Sequence, residues 1–75
     1  MIEYMGRKFN SFEELNEWNK AGHIDYYKKL ASMAANNPTM ELITIMGAEA
    51  DTLHNQFGLT WCEIEEIEIA AMQTA

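Results

Sequence analysis

The chain of 75 residues is 48% hydrophobic and includes two Trp, three Tyr and three Phe residues, a composition that predicts one small folded domain and excludes a disordered segment. Its single cysteine excludes an intramolecular disulfide, and its apolar runs are too short to span a membrane. The net charge is −7, and we expect a soluble cytoplasmic protein.

The charge is distributed unevenly along the chain. All five Lys and Arg residues lie within the first 29 positions, where five acidic residues balance them. From Leu30 onward there are seven acidic residues and no Lys or Arg. The C-terminal part should therefore repel nucleic-acid phosphates and anionic membranes, and it should attract a protein with a basic surface patch.

Residues 1–10 are predicted to form a β-hairpin that turns at Met5-Gly6, where glycine permits the positive φ of a tight turn. Apolar contacts and one ion pair favour the same strand register. That register pairs Ile2 with Phe9, Glu3 with Lys8 and Tyr4 with Arg7.

Ser11 and Glu14 form a capping box, which predicts the start of a helix. Gly22 is typical of a residue just past a helix end, so the first helix is predicted over residues 12–21. A second helix should begin near residue 24 or 25 and end before Pro38, because the residue before a proline avoids helical geometry. The inward face of this second helix would carry Tyr26, Tyr27, Leu30, Ala31, Met33 and Ala34.

Two structures fit residues 40–57. The β-branched residues between Met40 and Met46 are typical of a strand. However, apolar residues recur at helical spacing as far as Phe57, so we predict a helix that Thr39 caps and that tolerates Gly47 at a cost of roughly 1 kcal/mol relative to alanine. Its apolar face would carry Leu42, Ile43, Met46, Ala50, Leu53 and Phe57.

Gly58 should end that helix, and Thr60 with Glu63 forms a second capping box. The last helix is predicted to run to about Met72, and its core-facing residues would be Ile64, Ile67 and Ala71. The predicted fold is mainly α: a small four-helix domain spanning residues 1–75, with the hairpin in residues 1–10 and helices in residues 11–75.

The segment from Leu53 to Ile67 resembles a helix-turn-helix motif. Leu53, the turn Phe57-Gly58-Leu59, Ile64 and Ile67 match the spacing of that motif's apolar positions and turn glycine. The chain departs from the motif at His54, where a small residue is usual, and in its second helix, which has no cation. Direct DNA binding is therefore not expected, and a plain helical corner explains the same spacing.

The glutamates of the last helix have three interpretations. They can form a solvated face, they can surround apolar anchors in a protein-binding surface, or they can imitate nucleic-acid phosphates. In the second interpretation Ile69 and Met72 would be the exposed anchors. The candidate protein-binding residues are Trp61, Glu63, Glu65, Glu66, Glu68, Ile69 and Met72.

No residue pattern indicates catalysis, a metal site or a cofactor. The paired glutamates and the Asp51–His54 pair lack the His and Cys spacing of metal sites. Cys62 falls in the first turn of a helix, where a thiol can become reactive. Because no second cysteine is present, we interpret Cys62 as a small buried or half-buried residue.

These observations predict a non-enzymatic protein-binding module, an acidic adaptor or inhibitor that docks on a partly basic partner through its C-terminal helices. In size and charge such a protein resembles the small accessory proteins of phages and mobile elements that block host machinery. The alternatives are a regulator of the helix-turn-helix type that associates with nucleic acid, and an acidic mimic of nucleic acid. The high apolar content is also compatible with a homo-oligomer.

Overall fold

The computed structural model describes residues 1–73. Strands β1 (Ile2–Tyr4) and β2 (Arg7–Phe9) precede three helices, α1 (Phe12–Asn36), α2 (Met40–Phe57) and α3 (Trp61–Gln73). The mainly helical fold with an N-terminal hairpin is confirmed. The prediction of four helices is wrong, because the described residues form three.

The two strands form an antiparallel hairpin in the predicted register. Both central turn residues have positive φ, 50° at Met5 and 77° at Gly6, as a tight type I′ turn requires. The hairpin packs on α1 through the Trp18 ring, whose centroid lies 5.5 Å from that of Phe9 and 6.1 Å from that of Tyr4. Phe9 is buried by this contact.

Helix α1 is one continuous helix of 25 residues, and the predicted break at Gly22 is absent. Gly22 does not have a positive φ, and it is followed by His23, Ile24 and Asp25 within the same helix. His23 is held to Glu49 of α2, with Nδ1 and Oε1 2.6 Å apart, one residue past the expected break. At 1.5 Å per residue α1 is about 37 Å long, close to the 42 Å longest dimension of the molecule.

The start of α1 uses the predicted cap in a modified form. The Glu14 N–H donates to the Ser11 hydroxyl at 3.2 Å, as expected. The Glu14 carboxylate, however, accepts from the N–H of Asn10 at 3.1 Å, whereas the prediction placed that bond at Ser11. The reciprocal bond thus reaches one residue further back and joins the cap to the end of the hairpin.

Residues 40–46 are helical and form the first part of α2, so the predicted helix is confirmed and the alternative of a strand is not. Thr39 caps it by accepting from the N–H of Leu42 at 3.1 Å. Gly58 ends it in the left-handed conformation with φ 72°, and the N–H of Leu59 donates to the Leu53 carbonyl at 3.1 Å. Both predicted ends of this helix are confirmed.

One core joins the three helices, and α1 packs against both α2 and α3. The prediction that Tyr26, Met33 and Ile43 face inward is wrong, since each is largely exposed. Helical spacing alone predicted too wide an apolar face for these helices. In the structure the neighbouring helices cover a narrower sector of each one. The core residues are Tyr27, Leu30, Ala31, Ala34, Leu42, Met46, Leu53, Leu59, Ile64 and Ala71.

Within residues 1–73, no helix combines the length and the apolar character that crossing a membrane would need.

Candidate protein-binding surface on the last helix

The start of α3 is held by the predicted capping box. The N–H of Thr60 donates to the Glu63 carboxylate at 3.0 Å, and the N–H of Glu63 donates to the Thr60 hydroxyl at 3.1 Å. Hydrogen bonds from the backbone and the side chain of Thr60 to the Glu63 carboxylate lower the pKa of this carboxyl, and the positive charge of Lys20 lowers it further. Glu63 therefore serves the helix end as a charged cap.

His54 fixes the corner between α2 and α3. Its Nδ1 lies 2.8 Å from the carbonyl oxygen of Leu59. Because a carbonyl can only accept, Nδ1 carries the hydrogen of this bond. The imidazole also stacks on the Trp61 ring, with centroids 4.1 Å apart and planes 19° from parallel. His54 thus sets both the direction of the chain entering α3 and the position of Trp61.

Glu68 is engaged by α1. The Tyr27 hydroxyl donates to its carboxylate at 3.3 Å, and Glu68 is only half-buried while Tyr27 is buried. Burial, the negative charge of Glu68 and the hydrogen bond to Glu68 together raise the pKa of Tyr27 to about 12, and burial is the largest of the three causes. Two of the four candidate glutamates, Glu63 and Glu68, therefore have structural partners.

The other two glutamates point to solvent together with one isoleucine. Glu65 and Glu66 are exposed, and no residue in the described part of the chain forms a hydrogen bond or ion pair with their carboxylates. Ile69 follows them by four and three residues, so the three side chains share one helix face. Ile69 is 47% exposed. We call Glu65, Glu66 and Ile69 the outer surface of α3.

Two other sequence-predicted features lie elsewhere than expected. Met72 is half-buried and packs against the core, so the prediction that it is an exposed anchor is wrong. Cys62 is exposed, so its interpretation as a buried or half-buried residue is wrong. Trp61 is 52% exposed and borders the outer surface at the start of α3. The role of all these residues in binding a protein stays a prediction.

Sequence reasoning missed two features of the surface. The His23–Glu49 pair joins residues 26 positions apart, and no local pattern marks such a contact. Exposed apolar side chains also meet where α1 ends and α2 begins, including Met33, Met40 and Ile45. Only the mutual placement of the two helices brings this second group together.

Among residues 1–73, no three His, Cys, Asp or Glu side chains are grouped so that they could hold a metal ion. Comparisons with protein-family models, with curated proteins and with solved structures give no match to this chain. A function can therefore be inferred only from the geometry and charge of the surface.

Proposed function

We propose that this chain is a non-enzymatic protein-binding module, a small acidic adaptor or inhibitor that docks through the outer surface of α3 on a partner with a basic patch. The observation that carries the proposal is the arrangement of Glu65 and Glu66 beside the exposed Ile69. Two carboxylates without structural partners flank an apolar side chain, which is the combination of anchor and polar rim typical of interfaces.

The charge of the C-terminal part indicates the chemistry of the partner. From Leu30 onward the sequence contains seven acidic residues and no Lys or Arg. Such a field steers a basic surface toward α3 and speeds association at low ionic strength. Trp61 lies beside this surface and adds aromatic area to the contact, as aromatic residues commonly do at interfaces. We place the protein in the functional type of phage and mobile-element accessory proteins that block host machinery.

Nucleic-acid association through a helix-turn-helix-like corner is the second candidate. The buried residues Leu53, Leu59 and Ile64 surround the turn at Gly58, which favours that motif's packing. Its glutamates oppose phosphate contacts, so the exposed cations of the first 29 residues would have to supply them. DNA affinity that falls steeply with salt would support this candidate, and no binding at low salt would remove it.

An acidic mimic of nucleic acid is a special case of the favoured function. The basic patch of the partner would then be its own nucleic-acid site. Competition between DNA and this chain for the captured partner would identify that case, whereas simultaneous binding would place the contact elsewhere on the partner.

The test compares two isoleucines of similar exposure. Ile69 is 47% exposed on α3 and Ile45 is 44% exposed on α2. Partners are captured from a lysate of the source cells with the wild type, Ile69→Glu and Ile45→Glu chains, and are identified by mass spectrometry. Ile69→Glu should abolish capture, and Ile45→Glu should retain it. Circular dichroism of each variant confirms that it is folded.

The reverse pattern, in which Ile45→Glu abolishes capture and Ile69→Glu does not, would refute docking through α3 and would assign it to the junction of α1 and α2. Replacement of Glu65 and Glu66 by glutamine provides the charge test. It should weaken binding to the captured partner, and it should reduce the dependence of the association rate on salt.

A further inference from the structure

A groove lies between the hairpin and the middle of α1. Its volume is about 530 Å³, within the usual range of roughly 300–1,000 Å³ for binding pockets. Tyr4 and Met5 form the hairpin side, and Trp18 and Tyr26 line it from α1. None of these residues belongs to the outer surface of α3.

Gly22 keeps the floor of this groove open. It lies four residues after Trp18 and four before Tyr26, so the three share one face of α1. A Cβ built at Gly22 would meet no atom within 4 Å. The absence of a side chain at this position leaves the space between the two aromatic rings free.

One carboxylate among the groove residues provides a partner for a cation. Asp25 is the single acidic residue among those that line the groove, and it forms no ion pair in residues 1–73. His23 also lines the groove, but its Nδ1 is bound to Glu49. The faces of aromatic rings attract cations, and this attraction strengthens when the cation is removed from water.

The rings of Trp18 and Phe9 already hold one guanidinium group. The central carbon of Arg7 lies 5.3 Å from the centroid of the Trp18 ring and 5.9 Å from that of Phe9. Arg7 is not among the residues that line the groove. Trp18 therefore already takes part in one cation–π contact, and it makes that contact with an arginine that does not line the groove.

We propose that this groove binds the arginine side chain of a protein partner, with the guanidinium group beside Trp18 and Tyr26 and paired with Asp25. Arginine suits the site better than lysine because its planar group stacks on aromatic rings and is more weakly hydrated. This inference goes beyond the docking of α3 and does not rest on it, because the two sites share no residue.

The test is an NMR titration of the full ¹⁵N-labelled chain with N-acetyl-arginine amide and, separately, with the citrulline analogue. Citrulline has nearly the same shape as arginine but carries no charge. The arginine compound should cause saturable shifts at the Trp18 indole and at the amides of Gly22 and Tyr26. The citrulline compound should bind at least about threefold more weakly, as expected for a loss of cation–π and ionic attraction.

Two variants and a control make the assignment specific. Asp25→Asn should weaken arginine binding roughly three- to fivefold, and Gly22→Leu should abolish it by filling the groove. Asp51→Asn, which removes an exposed carboxylate of α2 outside the groove, should leave binding unchanged. Equal binding of the citrulline compound, or unchanged binding by Asp25→Asn, would overturn the proposal. Ile69→Glu should not affect this titration. The experiment therefore tests arginine binding in the groove independently of docking through α3.

Discussion

Gly22 and Gly58 occupy two regions of the molecule that differ in how the chain passes through a glycine. At Gly58 the chain leaves α2 with φ 72° and turns a corner into α3. At Gly22 the chain continues as helix, and α1 runs on for 14 more residues to Asn36. The same residue type therefore ends one helix and lies inside another.

The difference comes from the residues after each glycine. Gly58 is followed by Leu59, which is buried, and by Thr60, which caps the next helix. After Gly22 no residue caps a new helix, and the hydrogen bond between His23 and Glu49 holds the continuing turn against α2. A glycine permits a helix to end, but the hydrogen bonds and packing beyond it decide whether it does.

The corner at Gly58 should be weakened most by shortening Leu53. This side chain is fully buried, with 0% exposure, and its backbone carbonyl accepts the N–H of Leu59. Leu53→Ala should lower the free energy of unfolding by about 3 kcal/mol, since it removes buried methyl groups and leaves a cavity. Urea denaturation measures this loss. The exposed Ile45→Ala should change stability by less than about 0.5 kcal/mol, and a similar effect of both variants would contradict the proposed core.

Gly58→Ala tests the backbone conformation of the corner itself. A Cβ at a left-handed position costs about 1–2 kcal/mol, so the variant should be destabilised by that amount. Asparagine tolerates this conformation better than alanine does, so Gly58→Asn should lose less stability. Thermal unfolding of the two variants provides the comparison, and an unchanged midpoint for Gly58→Ala would show that the corner does not need positive φ.

Gly22→Ala should have the opposite sign. The residue is helical, and an added Cβ meets no atom within 4 Å. Alanine is the better helix former, so the free energy of unfolding should rise by about 0.5–1 kcal/mol. Denaturant unfolding of Gly22→Ala and Gly58→Ala side by side measures the two changes in the free energy of unfolding, and we expect them to be opposite in sign. Destabilisation by Gly22→Ala would indicate that α1 bends or ends at this residue.

The packing of α1 against α3 can be tested by the titration of Tyr27, since the Tyr27 hydroxyl donates a hydrogen bond to Glu68. Tyr27 has a pKa of about 12 in the folded chain, above the ordinary value of 10.0. Its protonated form therefore stabilises the fold fully below pH 10, and this contribution is lost as the pH rises through about 12.

Glu68→Gln should lower the pKa of Tyr27 because it removes a neighbouring negative charge, but burial should keep the value above 10.0. The absorbance of tyrosinate in the near ultraviolet follows this titration. Glu65→Gln, which removes an exposed carboxylate of the same helix, should leave the Tyr27 titration unchanged. An equal effect of the two variants would argue against the contact between Tyr27 and Glu68.

Part of the candidate surface could be predicted from the sequence. The helical spacing predicts that Ile69 is exposed among glutamates, because it lies opposite the Ile64 and Ala71 side of α3. The different roles of Glu65 and Glu68 could not be predicted. Glu68 receives a hydrogen bond from a residue 41 positions earlier, and no spacing within one helix records such a contact.

The sequence by itself determined the hairpin register, the cap at Thr60, the end of α2 at Gly58 and the acidic character of the chain after residue 30. These features depend on hydrogen bonds and conformational preferences within a few neighbouring residues. Only the tertiary structure decided that α1 continues through Gly22 and that Met72 packs inward. Both depend on how three helices divide a small core, and that division is made by contacts between residues far apart in the chain.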